Sequence, residues 1–207
     1  VAAVAAIGGR PVLAGIALGL AVSTKPQALP FLLPFGAWLV VRFGWWRASV
    51  AALGGLLAVV VVWLPFLADG GPTAYLGNIA AYQDGAFAVM SLRAWNPWWI
   101  LQSSAVGDAF LPDTVPVLGP LTPRIIGYGI CGAVSLGIAV LVMRSPTPRG
   151  LLLGATAGVL VAFLALTTMH ERYSFAAIVF LVPLLGDRRV FALWAILVVA
   201  TFTNYLA

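Results

Sequence analysis

Residues 49–67 read SVAALGGLLAVVVVWLPFL and contain no charged side chain. An α-helix needs about 20 mainly apolar residues to cross the hydrocarbon core of a bilayer. The stretch therefore predicts a membrane-spanning helix. Further apolar runs, separated by proline, glycine or charged residues, predict the same structure at six other places: 11–24, 26–41, 125–143, 150–168, 173–186 and 190–206.

The composition of the whole chain agrees with this interpretation. Of its 207 residues, 62% are hydrophobic and 8% are charged, and the mean hydropathy is +1.06. Ordinary soluble domains carry about 25% charged residues. The apolar runs lack the alternation of a membrane β-barrel, so we expect an all-α, polytopic membrane helix bundle with about seven spans. The first, second and sixth runs are short for a full crossing and are expected to tilt or to extend into polar flanks.

One longer segment, residues 68–124, separates the third and fourth runs. It contains several prolines and four aspartates, and its aromatic content is too high for a disordered linker. We therefore divide a single membrane domain into transmembrane helices at 1–67, a structured extracytoplasmic loop at 68–124 and transmembrane helices at 125–207. The chain begins at Val1 and has no recognisable signal peptide, so we expect it to be a fragment of a longer protein.

The basic residues predict the orientation of these spans. Cytoplasmic loops carry an excess of lysine and arginine. If the spans alternate, one face has a net charge of +6 and the other, which holds Lys25, the 68–124 segment and His170, has −1. The first face is then cytoplasmic, and the chain is a multi-pass plasma membrane protein. The net charge of +5 does not indicate nucleic acid binding, because the basic residues lie singly or in pairs at the ends of apolar runs.

The densest group of ionisable residues lies between the fifth and sixth runs and reads Met169-His170-Glu171-Arg172-Tyr173. Charges at membrane depth are rare and usually face a cavity, a partner or water. A hairpin cap is one interpretation, although an exposed ion pair contributes only about 0–1 kcal/mol to stability. The functional interpretation is that His170 carries a proton or a phosphate, and that the guanidinium of Arg172 binds a phosphate bidentately.

Two other segments combine polar and aromatic groups between apolar runs. In Ser23-Thr24-Lys25-Pro26-Gln27 the chain must turn, and Lys25 either extends to the lipid headgroups or holds a phosphate beside hydroxyl and amide groups. In Ser91-Leu92-Arg93-Ala94-Trp95-Asn96-Pro97-Trp98-Trp99 the indoles either mark the membrane interface or form a platform for a sugar or prenyl chain. On the second interpretation Asn96 binds hydroxyls and Arg93 meets a phosphate.

Several kinds of catalysis lack their sequence motifs. The chain has no glycine-rich Walker loop, no GxSxG and no HExxH. Its single cysteine, Cys131, excludes an internal disulfide, and no metal-ligand spacing is present. We therefore predict no metal site and no cofactor.

Together, Ser-Thr-Lys25-Pro26-Gln27, Ala94-Trp95-Asn96-Pro97-Trp98 and Met169-His170-Glu171-Arg172-Tyr173 resemble motifs of the polytopic GT-C glycosyltransferases. The resemblance is to bacterial mannosyltransferase-like proteins related to the enzyme that adds the second mannose to GPI anchors. It covers most of the chain, as the carboxy-terminal half of such an enzyme.

The resemblance implies transfer of a sugar from a polyprenyl-phosphate donor to a lipid or glycan acceptor on the extracytoplasmic face. It implies that Lys25, His170 and Arg172 bind the donor phosphate and that Glu171 holds these basic groups in place. Asn96 would then lie near the sugar or lipid, and Gln27 and Tyr173 complete the two motifs. The family's acidic catalytic residue lies in the first extracytoplasmic loop, so the general base is expected outside these residues.

Two alternatives to a transferase stay open. A secondary transporter would use Lys25 and His170 as coupling groups in a midplane cavity, and the chain break at Lys25-Pro26 favours it, but no internal repeat is present. A non-catalytic envelope protein would tolerate alanine at Lys25, His170 and Arg172.

Overall fold

The computed structural model describes residues 1–24, 29–85, 87–107 and 109–206. In these ranges the secondary structure is helical, and extended pairing is limited to isolated β-bridges. The α-helices are α1 (Ala2–Ile7), α2 (Pro11–Thr24), α3 (Leu29–Phe43), α4 (Trp45–Trp63), α5 (Gly71–Asp84), α6 (Pro97–Val106), α7 (Pro123–Arg144), α8 (Pro148–Ala165), α9 (Phe175–Leu181) and α10 (Arg188–Leu206).

The helical structure predicted from the apolar runs is confirmed in the described residues. Among the described residues, four helical segments are long and apolar enough to cross a membrane: Trp45–Phe66, Pro123–Arg144, Pro148–Ala165 and Arg188–Leu206. The first of these joins α4 to a short 3₁₀ helix at Leu64–Phe66. The chain is therefore an all-helical protein with four candidate spans.

The prediction of seven spans is not confirmed. Helices α2 and α3 are apolar but contain only 14 and 15 residues. The run predicted at 173–186 is divided into a 3₁₀ turn (Glu171–Ser174), the seven-residue α9 and a second 3₁₀ turn (Val182–Leu184). Pro183 lies in that second turn, where its missing N–H ends the α-helical hydrogen bonding.

The prediction of one long loop at 68–124 is also not confirmed, because this segment contains α5 and α6. Helix α6 begins at a sequence typical of helix starts, an asparagine followed by a proline. The side chain of Asn96 accepts a hydrogen bond from the Trp99 N–H, and Pro97 occupies the first helical position, where no N–H is needed.

The described residues form two compact units. Unit 1 comprises Val1–Ile79 and Leu136–Ala155, and unit 2 comprises Ala80–Ser135 and Thr156–Ala207. The residues singled out above between Trp95 and Tyr173 lie in unit 2.

Small residues allow α2 and α4 of unit 1 to approach each other closely. Gly15 packs against Ala51, and Gly19 packs against Gly55. A Cβ atom at Gly15 or Gly19 would overlap the backbone of the facing helix. This is the small-xxx-small pattern of helices that associate by van der Waals contact in lipid.

Replacing Gly19 with leucine is expected to lower the stability of the α2–α4 pair by about 1–3 kcal/mol, because the facing backbone cannot move away as a side chain can. Gly137→Leu provides the matched control, since Gly137 also lies in a helix but has open space around it. Unfolding in detergent, followed by circular dichroism, measures both variants. Equal midpoints for the two variants would contradict the close approach.

Large apolar side chains remain exposed along the candidate spans. On α4 these include Leu53, Leu56, Leu57, Val60 and Val61. A continuous exposed apolar face on one helix is unusual in soluble monomers and is expected where lipid surrounds the protein. Exposed Trp45 and Trp46 flank this face beside Arg47, as aromatic and basic residues do at a membrane boundary.

Candidate functional site

The segment before α6 pairs with the turn after α8, and this contact brings two of the predicted motifs together in unit 2. The Leu92 N–H donates to the Met169 carbonyl at 3.1 Å, and the Thr168 N–H donates to the Met90 carbonyl at 3.3 Å. Isolated β-bridges join His170 to both Leu92 and Arg93. The motif around Arg93 therefore lies directly beside the motif around His170.

The backbone is strained on both sides of this contact. Arg93 has φ 62° and Thr168 has φ 58°, and among the described residues these are the only non-glycine residues with positive φ. Such conformations cost on the order of 1–3 kcal/mol each and persist where the surrounding structure holds them. They frequently occur at binding sites, so the contact is a candidate for function.

Aromatic rings surround His170. The centroid of its imidazole lies 5.3 Å from that of Tyr173 and 6.1 Å from that of Phe87, both with edge-on geometry. Phe87 in turn lies 5.7 Å from the exposed ring of Tyr82. Four rings thus form a row from the end of α5 to the 3₁₀ turn, and His170 lies within it.

The charged groups beside His170 differ in their contacts. Glu171 Oε2 lies 3.8 Å from His170 Nδ1. Arg172 and Arg93 are exposed. Within the described ranges, no hydrogen bond or ion pair engages the guanidinium of either arginine. Exposed guanidinium groups can bind an anion with several ionised oxygens, such as a phosphate.

Asn96, whose contact with a sugar or lipid stays a prediction, lies in the interior of unit 2. It is 1% exposed, and its Nδ2 donates to the carbonyls of Phe163 (3.1 Å) and Leu166 (3.3 Å) at the end of α8. Trp98 Nε1 donates to the Ala165 carbonyl at 2.7 Å. These bonds satisfy carbonyls at the helix end, so Asn96 and Trp98 join α6 to α8 rather than face solvent.

The side-chain amides of two further residues, which the sequence analysis did not single out, bind the backbone of residues 91–95, called here the Arg93 segment. Asn204 of α10 accepts from the Trp95 N–H at 3.0 Å and donates to the Arg93 carbonyl at 2.8 Å. Gln102 of α6 donates to the Ser91 carbonyl at 3.3 Å and accepts from the Leu111 N–H at 3.2 Å. An asparagine near the end of an apolar helix is the sequence signal that could have indicated the first of these contacts.

An ionic network, also missed by the sequence analysis, contacts Thr167 and Thr168, the two residues before Met169. Asp113 is 0% exposed and accepts from Arg124 Nε (3.0 Å), Arg124 Nη2 (2.9 Å) and Thr167 Oγ1 (2.6 Å). Arg124 also donates to Asp84 Oδ1 (2.8 Å) and to the Gln83 carbonyl (2.7 Å). Gln83 Nε2 then reaches Thr168 Oγ1 at 3.4 Å. The network therefore links α5, α7 and the two residues before Met169.

Arg124 lies at the first turn of α7, where the helix dipole disfavours a cation. A charged residue at such a position indicates an acidic partner, and this was the available sequence signal for Asp113. Because its donors are occupied, Arg124 has a structural role and differs from Arg93 and Arg172.

The predicted contacts of Lys25 and Gln27 lie outside the described residues. Their convergence with His170 therefore stays a prediction. Across the described ranges, no group of three or more histidine, cysteine, aspartate or glutamate side chains is arranged to hold a metal ion.

Comparison of the chain with known protein families, with curated proteins and with solved structures finds no match.

Proposed function

We propose that this chain belongs to an integral membrane glycosyltransferase that uses a polyprenyl-phosphate sugar as donor. The observation that supports this proposal most directly is the pairing of Arg93 with His170, two residues before Arg172. It brings the backbone of Arg93 beside that of His170, and Arg93 and Arg172 are both exposed. Motifs resembling those of GT-C transferases lie on both sides of the contact.

The donor phosphate is proposed to bind Arg93 and Arg172, with Glu171 orienting His170. In the reaction the acceptor hydroxyl oxygen forms a bond to the anomeric carbon while the bond from that carbon to the phosphate oxygen breaks. The hydroxyl proton passes to a base outside the described site, and the polyprenyl phosphate leaves with the bonding electrons. Cations beside the leaving oxygen stabilise its growing negative charge.

The row formed by Tyr82, Phe87, His170 and Tyr173 suits the non-ionic part of the donor. Aromatic rings bury apolar surface well, and a prenyl chain or the apolar face of a sugar supplies such surface. Exposed Trp95 and half-buried Trp99, whose centroids lie 5.8 Å apart, add aromatic surface in the Arg93 motif.

We also propose the finer topology that the sequence predicts. In this topology the shorter apolar helices cross the membrane as well, giving seven spans in the plasma membrane, and the site lies on the extracytoplasmic face. That side allows the prenyl tail to stay in lipid while the phosphate reaches the basic residues.

Neutralising one of the two exposed arginines tests the proposal. In the full-length protein in membranes, Arg172→Gln or Arg93→Gln is expected to lower kcat/KM for a polyprenyl-phosphate sugar by about 10- to 100-fold, since a hydrogen bond to a charged group contributes about 1.5–3 kcal/mol. The corresponding lysine variants are expected to retain more activity, because the charge remains.

Arg189→Gln is the matched control. Arg189 is exposed and lies in the same unit, but it is at the start of α10, whereas Asn204, which contacts Arg93, is near the end of that helix. The Arg189→Gln variant is expected to leave transfer unchanged. If Arg172→Gln and Arg93→Gln turn over donor at the parental rate, the proposed phosphate site is wrong. A non-catalytic protein would show no transfer in any variant.

A further inference from the structure

The loop at 114–122 is an apolar surface that the proposed transfer reaction does not use. Its sequence, TVPVLGPLT, carries no charge. The side chains of Val115, Val117, Leu118 and Leu121 are all exposed, and that of Leu118 is 67% exposed. Exposed aliphatic side chains in such density indicate an interaction surface.

The base of this loop is fixed. The Arg124 N–H donates to the Asp113 carbonyl at 3.2 Å, and the side chains of the same two residues form the buried ion pair described above. The loop is thus closed at both ends by one pair of residues. Its apolar tip is held in a defined place beside the start of α7.

Five of the nine backbone positions in this loop offer no free N–H to water. Pro116 and Pro120 have no N–H. The N–H groups of Val117 and Leu118 donate to the Leu121 carbonyl at 2.9 and 3.3 Å, and the Leu121 N–H donates to the Leu118 carbonyl at 3.0 Å. Gly119 provides the positive φ of 57° that this turn requires. Because the N–H is absent or paired at these five positions, the tip loses less hydrogen bonding when it leaves water.

The position of the loop along the chain indicates what covers it. Helix α7 begins at Pro123 and is a candidate span of 22 residues. At about 1.5 Å per residue it is about 33 Å long, slightly more than the hydrocarbon core of about 30 Å. Pro123 therefore lies at the edge of the core. A folded loop of nine residues reaches at most about 15 Å from that point, so it stays near the headgroup region.

We propose that the 114–122 loop inserts its tip into the lipid headgroup and upper acyl region of the bilayer that α7 spans. The bound partner is thus lipid of the adjoining leaflet. Insertion removes four exposed aliphatic side chains from water at a place already next to the membrane. The proposal does not depend on the transferase reaction.

Fluorescence quenching in proteoliposomes tests this insertion. Because Cys131 is the only cysteine, Cys131→Ala gives a background in which Leu118→Cys can carry an NBD label. We expect lipids brominated on their upper acyl carbons to quench this label about as strongly as one at Val199→Cys, an exposed position within α10. We expect iodide in the water to quench it about threefold less than a label at Thr114→Cys at the base of the loop.

A second measurement tests the same proposal by charge. Val117→Asp, combined with a label at Leu121→Cys, is expected to reduce bromolipid quenching about threefold, because a carboxylate resists transfer out of water. Thr114→Asp in the same background is the matched control and is expected to change it little. Should iodide quench the Leu118 label freely, the loop lies in water and the proposal fails. Protection of that label from both quenchers would mean that protein covers the tip, which overturns the proposal equally.

Discussion

Arg124→Gln is expected to destabilise the protein by about 3–5 kcal/mol, the usual consequence of removing one partner from a buried ion pair. Asp113 is fully buried, so the variant leaves its carboxylate with the Thr167 hydroxyl as the remaining partner described here. The carboxylate then has no compensating charge. Unfolding of the purified protein in detergent measures the loss.

The double variant Arg124→Gln and Asp113→Asn separates the burial of an unpaired charge from the loss of contacts. It is expected to recover part of the stability lost in Arg124→Gln, since neither remaining group is charged. Asp84→Asn is the matched control, because Asp84 is the second carboxylate that pairs with Arg124. The Asp84 side chain is 73% exposed, so its pair with Arg124 is expected to contribute only about 0–1 kcal/mol.

The stability of Arg124→Gln also tests whether the network supports the turn that contains His170, at residues 167–174. Thr167 and Thr168 both contact this network, and they immediately precede the residues that pair with the Arg93 segment. We expect the amide of Thr168 to exchange with deuterium faster in Arg124→Gln than in the parent protein. If the variant has parental stability and parental exchange, the network does not support the turn.

Asn96→Ala is expected to lower stability by about 2–4 kcal/mol. The substitution removes the cap of α6, which usually contributes about 0.5–2 kcal/mol. It also leaves the Phe163 and Leu166 carbonyls without their amide donor, and an unsatisfied buried group costs about 1–3 kcal/mol. The two effects overlap, so they are not simply additive.

Ser104→Ala, also in α6, is the matched control for Asn96→Ala. The Ser104 hydroxyl donates to the Leu101 carbonyl at 3.0 Å, but the side chain is exposed, so its loss is expected to change stability little. Chemical unfolding curves for the two variants give the comparison. A substrate contact without a structural role would instead lower transfer while Asn96→Ala unfolds at the parental midpoint.

The distinction between Asn96 and Arg93 shows where sequence reasoning about the candidate site reached its limit. Both residues lie in one short motif, and a contact with a substrate was one interpretation for each. Asn96 is buried with its amide engaged by α8, while the Arg93 guanidinium is exposed. Burial depends on which helix end packs over the motif, and that helix lies about 70 residues away in the sequence.

The span count met a similar limit. Apolar length and composition identified the long helices α4, α7, α8 and α10 because a helix satisfies its own backbone hydrogen bonds whatever its neighbours are. The run at 173–186 has the same composition but is divided by 3₁₀ turns on either side of α9. The amino-acid composition of a run shows how long its apolar stretch is. It does not show where α-helical hydrogen bonding gives way to a 3₁₀ turn.

The sequence by itself determined that this protein is helical and apolar enough for a membrane, and that its ionisable groups concentrate around His170. Those properties follow from residue type and local spacing. Only the tertiary structure decided that Arg93 lies beside His170, that Arg124 is bound by Asp113, and that Asn96 is buried. Each of these depends on contacts between separate elements, 11 residues apart for Asp113 and Arg124 and 70 for Asn96 and Leu166, where packing geometry selects one partner among several of the same chemistry.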